Sequence, residues 1–205
     1  PSRLGLAYLD TGAMYRAATW AVLDRGIDPD DTDAVAVLVT GDAAPSIESG
    51  TDPAEPLIRV DGVDVAEAIR SELVTSAVSA VSAVGAVRQG MVDLQREHAL
   101  ASSGIVVEGR DIGSVVLPQA DIKVFLTADP GVRAQRRAAE VNVDDAGSVS
   151  ATEDALRARD AKDATRAISP LAPADGCIEI DTTHLTFDDV VDAVISLVRD
   201  APEGR

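Results

Sequence analysis

Ala7-Tyr8-Leu9-Asp10-Thr11-Gly12-Ala13-Met14-Tyr15-Arg16-Ala17-Ala18-Thr19-Trp20-Ala21-Val22 decides the fold class. The first four residues read as a short buried strand. Thr11-Gly12 turns the chain, and residues 13–25 carry a helical pattern with Met14, Ala17, Ala18, Ala21 and Val22 on one face. Thr11 reads as the N-cap and Gly26 as the stop.

The same order recurs further along. Ile105-Val106-Val107-Glu108 is a strand, followed by Gly109-Arg110-Asp111-Ile112-Gly113. Residues 122–127 form another strand, and Asp129-Pro130 opens a helix as N-cap and first-turn proline. Residues 177–181 read as a final buried strand. A last helix carries Val190, Val191, Val194, Ile195 and Val198. Strands separated by helices imply a parallel sheet flanked by helices. Ligands of such sheets bind beyond the carboxyl ends of the strands. Three polar clusters fall there: Asp10-Thr11-Gly12, Gly109-Arg110-Asp111, and residues 127–129.

Between residues 28 and 70 the character changes. Asp, Gly and Pro punctuate short β-like pieces, Ser46-Ile47-Glu48 and Leu57-Ile58-Arg59-Val60, and Asp61-Gly62 before Val63-Asp64-Val65 is a hairpin signal. The reading is a small antiparallel insertion. Helical periodicity returns over residues 72–100, with Gly85 inside it. Residues 142–150 form a polar loop, and Ser150 with Glu153 offers a capping box for the next helix. The expected organisation is a core over 1–40, the insertion over 41–71, core over 72–132, a lid over 133–158 and core over 159–205.

Bulk properties narrow the function. Aromatics make up only 2% of the 205 residues, so Val, Leu, Ile and Ala must build the core. A net charge of −17 is the wrong sign for bulk nucleic-acid binding and suits a solvated surface that resists association. A monomer is expected. Against that acidity, seven of the 18 Lys and Arg lie between Arg133 and Arg166, which points to a local anion site. Cys177 is the single cysteine, so no internal disulfide forms. His98 and His184 show no metal-ligand spacing. No run of about 18 apolar residues is present to span a membrane, no leader is read, and cytoplasm is the expected location.

Several constellations carry chemistry. Arg159, Asp163 and Arg166 share one helix face at i, i+4, i+7. Two guanidiniums flanking a carboxylate can take a phosphate while the acid takes a sugar hydroxyl. A surface ion-pair ladder fits the same letters. Arg133, Arg136 and Arg137 lie one turn apart on the helix opened by Asp129; they suit phosphoryl transfer or a solvated face. Gly109 permits close backbone approach and Arg110 can fork onto a phosphate, though a turn with an incidental ion pair fits equally. Tyr15 and Arg16 lie one turn inside a helix whose start favours anions, though simple packing also fits Tyr15.

These strings together resemble the bacterial cytidylate kinase family. They are Tyr8-Leu9-Asp10-Thr11-Gly12-Ala13-Met14-Tyr15-Arg16, Val106-Val107-Glu108-Gly109-Arg110-Asp111-Ile112-Gly113, Ile122-Lys123-Val124-Phe125-Leu126-Thr127-Ala128, and the run from Arg159-Asp160-Ala161-Lys162-Asp163 through Arg166 to Leu171. The resemblance implies an α/β P-loop-kinase-type fold with a small antiparallel insertion on the nucleoside-monophosphate side and a short lid. It implies transfer of the γ-phosphoryl group of ATP to CMP or dCMP with Mg²⁺. It gives Thr11, Ser79, Arg88 and Asp111 to cytosine, and Arg16, Arg110 and Arg166 to the CMP phosphate. Tyr15, Arg159 and Asp163 go to the sugar and nearby phosphate. Arg133 and Arg137 are implied as lid arginines meeting ATP, so Arg133, Arg137 and Arg159 form the implied catalytic set. No protein metal ligand is assigned. A uridylate or shikimate-type kinase is the alternative within P-loop enzymes; the insertion and Asp111 argue against it.

One geometric test accompanies the resemblance. Ser79 and Arg88 are nine residues apart, and a straight helix would place them about 180° apart. A break near residues 82–85 is therefore expected, with Gly85 as the breaker.

Members of that family begin with a strand and a Gly-rich loop ending in Gly-Lys-Ser or Gly-Lys-Thr, which cradles ATP phosphates. Here Pro1-Ser2 reads as a remnant of the loop's start, and residues 3–7 as the end of the helix after it. Loss of a buried central strand would cost more than the ~5–15 kcal/mol a domain has to spare. The expectation is that the natural protein carries these residues, and that a polypeptide of residues 1–205 alone lacks kinase activity. If the loop is truly deleted, a non-catalytic CMP-binding module is the expected alternative.

Overall fold

The computed structural model describes residues 1–140 and 173–201. The chain forms two compact units, residues 1–112 and 113–205.

The first unit is built around helix α1, Thr11–Asp24, which follows strand β1, Ala7–Asp10, without a break. Asp10, not Thr11, is the N-cap: its carboxylate accepts the Ala13 N–H at 2.9 Å. A carboxylate at the last strand position both satisfies an orphan amide and complements the helix dipole, so no separate turn is needed. At the far end Gly26 takes φ 67. Its N–H reaches the Leu23 carbonyl and that of Ile27 reaches Val22. This is a Schellman closure, as the glycine predicts.

β1 pairs in parallel with β5, Ile105–Glu108, with Asp10 opposite Glu108. Only Leu9 of β1 is fully buried, so the strand is half-buried rather than buried throughout. α1 serves two apolar clusters because its Ala-rich faces allow close approach on both sides. Met14, Ala18 and Val22 join Leu9, Val35, Val81, Val84, Val87 and Met91. Ala17 and Ala21 join Ile58, Val60, Val65 and Ile69.

The segment after Gly26 departs from the sequence reading. Thr32–Thr40 is a helix, α2, where only β-like pieces were expected. Its run of Val and Ala has β-branched character, but Asp31 caps it by accepting the Ala34 N–H, and packing on the following helices fixes it. The antiparallel insertion is present as β2 (Ile47–Ser49), β3 (Ile58–Val60) and β4 (Val63–Asp64). Asp61 and Gly62 both take positive φ, 51 and 78, as a type I′ turn requires. A 3₁₀ turn, Ala68–Arg70, leads to α3, Glu72–Val81.

The expected break is observed. α4 spans Gly85–Ala101, and residues 82–84 separate it from α3. The cause differs from expectation. Val84 leaves the helical region at ψ 123, and Gly85 is the first residue of α4 rather than a left-handed breaker.

In the second unit β6 (Val124–Thr127) pairs in parallel with β7 (Ile178–Asp181). β7 is not a buried strand: Ile178 is 43% exposed. Among the described residues β7 pairs with β6 alone, and a two-stranded sheet leaves an edge of each strand uncovered. α5, Pro130–Glu140, starts as predicted, with the Asp129 carboxylate accepting the Gly131 N–H at 2.8 Å. α6, Phe187–Asp200, begins at a Thr186/Asp189 capping box. The polar loop at 142–150, the Ser150/Glu153 capping box, Arg159, Asp163 and Arg166 lie outside the described residues.

Candidate functional site

The carboxyl ends of β1 and β5 lie side by side, so Asp10-Thr11 and Glu108-Gly109-Arg110-Asp111 emerge together. Gly109 is required there. A Cβ at this position would run into the Thr11 hydroxyl and approach Ile112 Cδ1 at 2.7 Å. Thr11 is buried, and its Oγ1 donates to the Glu108 carbonyl at 2.7 Å. Replacing Gly109 with Ala is therefore expected to cost about 1–3 kcal/mol of stability, read as a lower denaturant midpoint at unchanged m.

Beyond this turn, residues 112–116 form a single π-helical turn, a geometry that recurs at functional sites. Asp111 immediately precedes it. Asp111 and Arg88 are both almost fully buried, with 7% and 5% of their side chains exposed. Arg88 Nη2 donates to Asp111 Oδ2 at 2.5 Å, and Nη1 donates to the Ser82 carbonyl at 3.2 Å. The guanidinium carbon lies 5.6 Å from the centre of the Tyr15 ring, within cation–π range. The helix break delivers the Ser82 carbonyl: Arg88 folds back over residues 82–84 to reach it. Buried Arg88 Nε makes no hydrogen bond among the described residues.

The structure thus brings together Tyr15, Arg88 and Asp111, three of the residues singled out from sequence. Thr11 stands at the neighbouring turn with its hydroxyl directed at a carbonyl. The backbone of Ser79 accepts the Ser82 hydroxyl at 3.3 Å. Arg16, one position along α1 from Tyr15, turns toward the insertion. Its Nη1 donates to the Ile69 carbonyl at 3.0 Å and to Thr75 Oγ1 at 2.9 Å. Arg110 lies between Gly109 and Asp111 and is partly buried.

Sequence reasoning gave no role to Glu108 or Tyr8. Partial loss of hydration raises the Glu108 carboxyl above its ordinary value; the Tyr8 hydrogen bond works against this, and the Asp10 charge adds to it. Burial, then the hydrogen bond to Glu108 and the charges of Glu108 and Asp10, raises the Tyr8 hydroxyl. An acid at the last position of a parallel strand, beside a second acid on its neighbour, was visible in the letters. The pairing of the two strands was needed to give it meaning.

In the second unit Arg133 and Arg137 lie on α5. Arg136, grouped with them as a possible anion ligand, is committed elsewhere. It donates to Thr182 Oγ1 at 2.9 Å, the Thr182 carbonyl at 2.6 Å and the Leu185 carbonyl at 3.2 Å. The hydroxyl of buried Thr182 donates in turn to the Thr127 carbonyl. A cation satisfied by two carbonyls and a hydroxyl is a strut between α5 and the end of β7.

A family model described as cytidylate kinase matches residues 1–200. The chain belongs to the cytidylate kinase family. It is 52% identical to a cytidylate kinase of Streptomyces avermitilis over 200 residues, covering 97% of this chain and 84% of the relative. It is 53% identical to the cytidylate kinase of Streptomyces coelicolor over 205 residues, covering 100% and 86%. A Rhodococcus opacus cytidylate kinase is 52% identical over 200 residues, covering 96% and 85%. The parallel strand pairs flanked by helices and the small antiparallel sheet agree with a nucleoside monophosphate kinase fold. Among the described residues no helix is long and apolar enough to cross a membrane.

Proposed function

We propose that this protein transfers the γ-phosphoryl group of ATP to CMP or dCMP, giving CDP or dCDP, as a cytoplasmic monomer. The observation that carries the reading is the buried Arg88–Asp111 pair beside the Tyr15 ring. Cytosine presents an exocyclic amine, and Asp111 can accept from it. A base that presents an oxygen in place of that amine would set acceptor against acceptor at the Asp111 carboxylate, a strong ground for rejection. Thr11 and Ser79 complete the base-facing group in this reading. Tyr15, Arg159 and Asp163 serve the sugar and nearby phosphate.

Phosphoryl transfer asks for positioning and for cations around the developing charge. Arg16, Arg110 and Arg166 hold the CMP phosphate, and Arg133 and Arg137 meet ATP. Residues 41–71 form the monophosphate-binding region and 133–158 the lid. Mg²⁺ accompanying ATP would neutralise phosphate charge. Asp10 and Glu108, adjacent acids at two strand ends, offer the hard oxygen donors this ion takes; with two carboxylates, water and phosphate oxygens fill the rest of its shell.

The test, run on the natural protein with its phosphate-binding loop, is a comparison of phosphorylation rates with CMP, UMP and AMP under the same ATP. A clear preference for CMP is expected. A preference for UMP or AMP would overturn the assignment.

A further inference from the structure

We propose that Thr75 is a positioning residue for the nucleotide phosphate, acting through Arg16; the inference rests on reading Arg16 as a phosphate ligand. An arginine side chain has many rotamers to lose, and a bidentate grip on phosphate is useful only if its fork is held in place. The two hydrogens of Arg16 Nη1 have two acceptors on two different elements. One is the Ile69 carbonyl at 3.0 Å, in the 3₁₀ turn Ala68–Arg70. The other is Thr75 Oγ1 at 2.9 Å, in the first turns of α3. Both hydrogens of one nitrogen directed at fixed acceptors define the plane of the guanidinium, and so the direction of its remaining edge.

Both acceptors are themselves anchored. Ile69 is 2% exposed and packs with Ala17 and Ala21 of α1 and with Val60 and Val65 of the insertion. The Thr75 N–H donates to the Ser71 carbonyl at 2.9 Å, which fixes its backbone in α3. Thr75 is exposed, and an exposed hydrogen bond adds little to folding. Its consequence is therefore expected in ligand geometry rather than in stability. The insertion then does more than pack against α1: its Ile69, together with Thr75 of α3, sets the pose of a residue on that helix.

The experiment compares Thr75→Val, Thr75→Ser and Arg16→Ala by calorimetric titration with CMP and, separately, with cytidine, which lacks the phosphate. Thr75→Val keeps the shape but removes the acceptor. It is expected to bind CMP about three- to tenfold more weakly, the factor for an arginine that must be immobilised on binding, with cytidine affinity and melting temperature unchanged. Thr75→Ser keeps the acceptor and is expected to stay within about twofold of wild type. Arg16→Ala is expected to lose at least about tenfold for CMP and nothing for cytidine. If Arg16→Ala shows that loss while Thr75→Val binds CMP normally, the positioning role is overturned and the reading of Arg16 stands. If Arg16→Ala itself binds CMP like wild type, that reading falls. Equal losses in Thr75→Val and Thr75→Ser, or equal losses for CMP and cytidine, would mark a structural role and overturn the proposal.

Discussion

Replacing Asp111 with Ala is expected to destabilise the protein by about 3–5 kcal/mol, because it leaves the Arg88 cation buried without its counter-charge. Arg88 is only 5% exposed, and among the described residues its Nε makes no hydrogen bond and its other contacts are a carbonyl and an aromatic face. None of these neutralises a full positive charge. For a chain of this size the loss should lower the melting temperature by roughly 6–20 °C. The double variant Arg88→Met with Asp111→Leu removes both charges and is expected to recover most of the loss, since a buried pair replaced by apolar groups is often neutral. A double variant as unstable as Asp111→Ala would show that the penalty is packing, not charge. Asp111→Asn keeps the shape and gives the milder stability defect. Its main effect is expected in base choice: discrimination between CMP and UMP should relax, and unchanged discrimination would count against Asp111 as the group that reads the base.

The second large effect is expected on the phosphate. Arg110→Ala and Arg166→Ala should each weaken CMP use by about 1.5–3 kcal/mol, the range for hydrogen bonds to a charged group. That corresponds to roughly 10- to 150-fold in kcat/KM for CMP. The KM for ATP should move little in either variant. Wild-type kinetics with CMP in both would remove these arginines from the phosphate site. The contrast with Asp111→Asn is informative. Loss of a phosphate arginine should lower all monophosphates alike, whereas loss of the carboxylate should change their ranking.

Much of the site was legible because its residues follow strand ends. The runs ending in Asp10 and Glu108 are short and β-rich, the helix after the first is periodic, and each run passes directly into a polar cluster at its carboxyl end. The interruption between α3 and α4 was legible from the resemblance combined with arithmetic: it gives Ser79 and Arg88 to one base, and two residues nine positions apart cannot face one ligand from a straight helix. What was not legible has physical reasons. α2 is a run of Val and Ala whose local preference leans toward strand, and a capping Asp31 with tertiary packing overrides it. Arg136 looked like its neighbours Arg133 and Arg137. A string of cations does not reveal that one of them folds back onto the carbonyls at the end of β7. Thr75 carried no signal, because its partner Arg16 is 59 residues away.

The sequence by itself determined the alternation of strands and helices, the parallel pairing, the hairpin at Asp61-Gly62, and the motifs that mark a cytidylate kinase. These depend on local periodicity, on φ preference and on short strings in order, all of which act over a few residues. Only the tertiary structure decided that Asp111 is paired with Arg88 across 23 positions, that Arg88 lies against Tyr15, and that the insertion holds Arg16. Those contacts follow from how α1, α3, α4 and the small sheet pack. Burial and charge pairing are properties of that packing and cannot be assigned to any stretch of chain taken alone.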